Sequence, residues 1–258
     1  MERIGTGRRA EVLDVGSGEC VKLFYSGYPR ARALREAGNT RRAHWLGLSV
    51  PECMGLVDMQ GRIGIRLERM AGDTMLGHMI AQPERALAHA QAMGQLHSSL
   101  HQVSGAGFDN IGEKLIRQID RADMLSLSLG NRAIDALNAM PEGDRLLHMD
   151  FHPDNIVLTP DGARIIDWAN ASCGDPLLDV AQTVLLTGAT TYPPDVDQML
   201  KETLDALRRQ VVDAYLAGYG IAKESLGIRI GIVAAARLSE ARPEEVASCM
   251  QLVKDAFS

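Results

Sequence analysis

Leu147-His148-Met149-Asp150-Phe151-His152-Pro153-Asp154-Asn155-Ile156-Val157-Leu158 is the densest cluster of reactive side chains in the sequence, and Ile165-Ile166-Asp167-Trp168 follows it closely. Polar residues precede each of two short apolar runs. Thr159-Pro160-Asp161-Gly162 between them is turn chemistry, so residues 156–158 and 163–167 read as a hairpin. Such a pairing carries Asp150, Asn155 and Asp167 to one end of the hairpin. Two carboxylates and an amide oxygen are hard donors that suit Mg²⁺, which takes few protein oxygens and fills its other positions with water or phosphate. A carboxylate left off the metal can accept a proton from a hydroxyl. The plainer reading of Asp150 and Asp167 is a pair of strand-end surface carboxylates, which the joint spacing disfavours.

Upstream, the first 70 residues read as strands with one helix. Residues 10–15 and 19–25 are short β-prone runs joined by Gly16-Ser17-Gly18, a hairpin signal. Pro29 opens a helical stretch that Gly47 closes. Residues 54–59 and 62–70 form a second strand pair, turned at Gln60-Gly61. From Asp73 onward the pattern is helical. A long helix starts at Pro83, with Leu87, Ala90, Met93, Gly94 and Leu96 as its buried face. Further helices are expected over 111–127, 132–140, 177–186 and within 195–257. The predicted architecture is α+β and bilobal: a small β-rich lobe over 1–70 and a larger helical lobe over 71–258.

With 258 residues, 46% hydrophobic and 23% charged, the chain has the composition of an ordinary globular protein. No stretch approaches the ~18 uninterrupted apolar residues of a membrane span, and residues 1–15 carry charges where a signal peptide needs an apolar run. A cytoplasmic protein without membrane contact is the expectation. Cys20, Cys53, Cys173 and Cys249 are widely spaced with no CxxC pair, which fits free thiols rather than a zinc knuckle or disulfide scaffold. Residues 1–70 carry a net charge of +4 and residues 71–258 carry −10. A nucleic-acid binder shows a basic stripe instead, so a nucleic-acid partner is not expected. An acidic lobe beside a mildly basic one suits an anionic cofactor and a cationic substrate.

The order H-x-D-x-x-x-x-N (His148, Asp150, Asn155), I-D-W (Ile166-Asp167-Trp168) and G-D-P-x-x-D (Gly174 to Asp179) resembles the aminoglycoside phosphotransferase/choline kinase family, which has the bilobal protein-kinase-like fold. The match extends over most of the first 180 residues. The resemblance implies that Asp150 is the catalytic-loop aspartate that orients or deprotonates the acceptor hydroxyl, and that Asn155 and Asp167 hold Mg²⁺. Ile4 to Val12 resembles a kinase glycine-rich loop in which Gly5 and Gly7 let backbone N–H groups approach phosphate, with Ala10 in place of the third glycine. Lys22 then matches the lysine that pairs with the α/β-phosphates, and Glu36 is its candidate ion-pair partner. Residues 67–72 resemble the inter-lobe hinge, whose backbone at Glu68 and Met70 would bond the adenine edge. Asp175 and Asp179 read as support under the active site, the later one opening a helix that braces the catalytic loop. An Asp before an apolar helix is also an ordinary N-cap.

The implied cofactors are ATP, with GTP left open, and Mg²⁺. The implied partner is a small-molecule hydroxyl acceptor; family members act on aminoglycosides, choline, ethanolamine, amino-alcohols and sugars. The −10 lobe favours a cationic acceptor, with Glu240, Glu244 and Glu245 among the acidic candidates. Rival readings are weaker. A protein kinase would show D-F-G, A-P-E and a long activation segment. A catalytically silent nucleotide-binding module has no need of Lys22, Asp150, Asn155 and Asp167 together. A metallohydrolase built on His148, Asp150, His152 and Asp167 lacks further histidines near strand ends. His97 and His101, spaced by four, read as structural histidines of a helix rather than metal ligands. Nothing in the sequence sets an oligomeric state.

Overall fold

The computed structural model describes residues 1–188 and 197–258. In chain order, β1 (Glu2–Thr6), β2 (Ala10–Gly16) and β3 (Glu19–Phe24) precede α1 (Arg30–Trp45). Then come β4 (Cys53–Met59), β5 (Arg62–Glu68), β6 (Asp73–Thr74), α2 (Met75–Ala81) and α3 (Ala86–Leu100). After α4 (Ile111–Ile119) and α5 (Leu127–Asn138) follow β7 (Arg145–Leu147), β8 (Ile156–Thr159), β9 (Gly162–Ile165) and β10 (Ser172–Gly174). The remaining helices are α6 (Pro176–Gly188), α7 (Gln198–Tyr219), α8 (Gly227–Arg237) and α9 (Pro243–Phe257). The chain forms two compact units, residues 1–78 with 153–170, and residues 79–152 with 171–258. The hairpin at 153–170 thus returns to the first unit, although a division of the sequence at residue 70 assigns it to the helical part.

The first unit is built on a five-stranded antiparallel sheet in the order β1-β2-β3-β5-β4. Gly16, Ser17 and Gly18 take left-handed φ values of 85°, 55° and 75°, which close the β2–β3 hairpin as the turn chemistry requires. Side chains alternate across the strands. Phe24, Ala10, Cys53 and Ile65 pack with Ala33 and Ala37 of α1, while Leu13, Val21 and Leu23 form a separate apolar cluster. The smaller sheet β6-β8-β9 belongs to the same unit. There Gly72 passes so close to Leu158 that a Cβ would lie 2.0 Å from its carbonyl oxygen.

The second unit is helical apart from the short pair β7–β10. Helix α8, buried from Gly231 to Ala236, packs against α4, α5, α6 and α9. Asn110 and Ser126 cap α4 and α5 by accepting from Glu113 N at 3.2 Å and Leu129 N at 3.4 Å. Of the helices expected over 111–127 and 132–140, the first ends early, at Ile119, and the second begins early, at Leu127, because Ser126 inside an apolar-looking Leu-Ser-Leu run is a helix start. The expected buried face of α3 is also shifted. Leu87 is 40% exposed, and the buried stripe is Ala86, Ala90, Met93, Gly94, His97 and Leu100. A histidine completes the apolar stripe. The expected helical tail begins at Asp195, which lies outside the described residues; α7 starts at Gln198, capped by Asp197. Among the described residues no helix is long and apolar enough to cross a membrane.

Helices α3 and α7 cross at two glycines. A Cβ on Gly94 would lie 2.1 Å from Tyr215 O, and one on Gly218 would lie 2.0 Å from Gln91 O. Both obstacles are main chain and cannot rotate away. Gly94→Ala gains about 1 kcal/mol of helix propensity but forces the helices apart, so a net loss of roughly 2 kcal/mol or more is expected. Urea unfolding of the variant checks this; unchanged stability would mean the crossing is looser than described.

Candidate active site

Cys20, Lys22 and Phe24 alternate onto the face of β3 that meets α1, so the amine of Lys22 is carried toward an apolar layer and needs a partner. It has two. Lys22 Nζ lies 2.7 Å from Glu36 Oε1 and 2.8 Å from Asp167 Oδ2. Glu36 is buried in α1, and the Asp167 side chain is 32% exposed. Burial alone would depress the Lys22 ammonium, but the carboxylates of Asp167 and Glu36 outweigh it and hold its pKa above the ordinary lysine value. Burial, together with the Asp167 charge, pushes the Glu36 carboxyl up against the opposing pull of Lys22. Three of the residues singled out in the sequence are therefore brought into direct contact.

The hairpin supplies Asp167. Ile166 N donates to Asn155 O at 3.0 Å, which sets the two oxygen-bearing residues at the open end of β8–β9. From α1, Asn39 Nδ2 donates to Trp168 O at 3.0 Å. Trp168 is wholly buried, and its ring nitrogen donates to Ile165 O at 3.0 Å. Asp167 itself adopts φ 64°, a left-handed conformation that Asp tolerates better than most residues. Asn155 is buried. An amide oxygen and a partly exposed carboxylate beside a lysine are a donor set that fits a hard divalent cation carrying phosphate.

The glycine-rich segment spans the end of β1 and the turn into β2. Gly5 lies within β1, opposite Val12, and the loop proper is the turn closed by Gly7 N to Ala10 O at 2.8 Å. Neither glycine has a left-handed φ. A Cβ would meet its nearest neighbour at 3.5 Å at Gly5 and 3.6 Å at Gly7, so the protein's own packing does not demand glycine at either position. Glu68 ends β5, and its N–H donates to Glu52 O at 2.8 Å; Met70 follows, half-buried.

Asp150 belongs to the second unit, on the segment between β7 and the hairpin. Its carboxylate lies 3.7 Å from His152 Nε2. Met149, just before it, has φ 61°, a conformation costing on the order of 1–3 kcal/mol for such a residue. Asp179 holds that bend. From the first turn of α6 it accepts from His148 N at 2.5 Å and Met149 N at 2.8 Å. The bracing role expected of Asp179 is thus a pair of charge-assisted hydrogen bonds. Asp175 caps the same helix through Leu177 N at 3.0 Å and pairs with Arg229 at 2.6 Å. Glu245, a candidate for a cationic acceptor, is instead neutralised by Arg237 at 2.9 Å.

Asp179 is entirely buried beside His97 and His101, whose Nε2 atoms lie 3.1 and 3.2 Å from its Oδ2. Ligand atoms of these three residues lie within 4.8 Å of one another, the one such group among the described residues. Burial would raise the Asp179 carboxyl, but the imidazoles hold it well below the usual carboxylate range. Burial, reinforced by His101, pushes His97 down to about 4. Tyr215 and Tyr219, which complete this cluster, belong to no motif in the sequence. Their only signal is a spacing of four that matches that of His97 and His101.

The model of the phosphotransferase enzyme family matches residues 2–225. The chain belongs to that family. This phosphotransferase-family chain also aligns with the thiamine kinase of Salmonella paratyphi B (strain ATCC BAA-1250 / SPB7), 54% identical over 46 residues, a match that spans 17% of each chain. The streptomycin-ATP-APH(2")-IIa ternary complex is similar with a TM-score of 0.59 and 14% identity, covering 98% of this chain and 90% of that one. A choline/ethanolamine kinase family protein from Mesorhizobium loti has a TM-score of 0.59 and 19% identity, covering 98% and 87%. The α+β, kinase-like fold expected from the resemblance is thereby shown.

His97 faces His101 on α3, Asp179 on α6, Tyr215 and Tyr219 on α7, and His148 on the loop. Its folded pKa lies below its ordinary value of 6.5, so the unfolded chain takes up the proton first as pH falls. Its contribution to stability is complete above 6.5 and is lost progressively down to about 4. Stability should decline across that window with a slope approaching about 1.4 kcal/mol per pH unit. Urea midpoints between pH 7 and 4, compared with His97→Gln, measure it; identical slopes in both proteins would refute the assignment.

Proposed function

We propose that this chain transfers the γ-phosphate of ATP to a hydroxyl of a small, cationic molecule. The observation that carries the reading is the Lys22–Glu36–Asp167 ion-pair group in a chain that matches the phosphotransferase enzyme family from residue 2 to 225. Phosphoryl transfer is achieved mainly by alignment and charge neutralisation. Lys22, oriented by buried Glu36, binds the α/β-phosphates. Gly5 and Gly7 leave the β1–β2 main chain uncovered for phosphate to approach, and the backbone at Glu68 and Met70 receives the adenine edge. Asn155 and Asp167 hold Mg²⁺, which when bound neutralises phosphate charge. Asp150 accepts the proton of the acceptor hydroxyl or orients its lone pair.

A cationic alcohol agrees with the −10 charge of residues 71–258. The local match to a thiamine kinase and the fold shared with a streptomycin complex and a choline/ethanolamine kinase family protein support the same class. Thiamine, aminoglycosides, choline and ethanolamine are therefore the acceptors to test, with sugars as neutral controls.

Mg²⁺-dependent ADP release from ATP, with GTP in parallel, against these pools is the deciding experiment. One pool should stimulate release. Asp150→Asn should lower kcat by about 10²–10⁴-fold while nucleotide affinity by calorimetry stays within about twofold. Lys22→Met should act in the opposite sense, weakening ATP affinity by about tenfold or more, the worth of one charged contact. Nucleotide bound without turnover in any pool would favour a silent binding module. No nucleotide bound would overturn the proposal.

A further inference from the structure

Two tyrosine–histidine pairs converge on Asp179. Tyr215 Oη lies 2.7 Å from His97 Nδ1, and Tyr219 Oη lies 2.7 Å from His101 Nδ1. Both pairs are spaced by four residues, on α3 and α7, and the close crossing at Gly94 and Gly218 sets them in register. His101 Nε2 hydrogen-bonds Asp179 Oδ2 at 3.2 Å. His97 Nε2 lies 3.1 Å from the same oxygen but off the line of a hydrogen bond, and its ring stacks on Phe151 at 3.9 Å and 16°.

The proton inventory follows from these contacts. A carboxylate only accepts, so the His101 nitrogen facing Asp179 carries the N–H. In the neutral ring the other nitrogen then accepts, and Tyr219 donates its O–H to it. His97, held neutral by burial, shares the tyrosine half of this order through Tyr215, while its Nε2 lies beside Asp179 without a hydrogen bond to it. The consequence reaches the catalytic segment from both sides. Asp179 grips the N–H groups of His148 and Met149, and His97 grips the ring of Phe151. Asp150 is the residue between these two grips.

We propose that Tyr215–His97 and Tyr219–His101 are positioning pairs for Asp150: they orient the Asp179 carboxylate and clamp the Phe151 ring, so that the strained bend at Met149 presents Asp150 in one place. The catalytic part of this inference rests on the role proposed for Asp150; the mechanical part does not.

The test uses the full chain with Tyr219→Phe, which removes one oxygen atom, and with His101→Leu and His101→Gln. Hydrogen exchange of the segment 146–151, read by mass spectrometry, should quicken about tenfold in Tyr219→Phe and in His101→Leu, the worth of one buried hydrogen bond. Gln, whose amide can still donate to Asp179, should restore most of the protection. ATP turnover with water as acceptor should fall in His101→Leu without change in nucleotide affinity, and the same substitution in an Asp150→Asn background should cost nothing further. Unchanged exchange in folded Tyr219→Phe, or an equal rate loss in both backgrounds, would overturn the proposal. So would a stoichiometric metal in the purified protein whose chelation reproduces the faster exchange. Should Asp150→Asn leave turnover intact, the reading of Asp150 fails instead, and the exchange data still decide the positioning pairs.

Discussion

A carboxylate with no access to water is the constraint around which the helical unit is arranged. An ionised Asp179 is tolerable only if its oxygens are surrounded by donors, and the surrounding structure meets that demand from three directions. The loop contributes two main-chain N–H groups, α3 contributes the donating imidazole of His101 with the His97 ring beside it, and α7 supplies the hydroxyls that orient those imidazoles. Each contribution requires close approach. That explains the paired glycines where α3 and α7 touch, and it explains why a histidine occupies a place on α3 that a leucine would fill in an ordinary amphipathic helix.

The sheet-bearing unit solves a related problem with a buried cation. Strand alternation sends Lys22 to the α1 side of β3, where Glu36 is fixed in the helix and Asp167 arrives from a hairpin more than a hundred residues later in the chain. Of the two carboxylates, only that of Asp167 retains substantial exposure. A fully buried pair would be inert, whereas a lysine paired with one fixed and one accessible anion keeps a charge that a phosphate can engage.

Much of the candidate site is legible in the sequence. The order of His148, Asp150, Asn155, Asp167 and the Gly174 to Asp179 segment is a local pattern, each part being set by a tight turn or a short strand. The β2–β3 and β8–β9 hairpins and the limits of α1 were also readable, because glycine and proline act on the backbone at their own positions. What failed had non-local causes. The buried stripe of α3 includes His97 because of Asp179, which arrives from α6.

The sequence by itself therefore determined the kind of chemistry available, the order of the groups that supply it and the turns that space them, since those are properties of short segments. Tertiary structure decided which charges are partnered and which are buried. His97 with Tyr215 and His101 with Tyr219 stand 118 residues apart and share no local signal. Only the crossing of two helices brings them together, and only burial makes their alignment with one carboxylate a requirement, because a charge without water must find its partners within the fold.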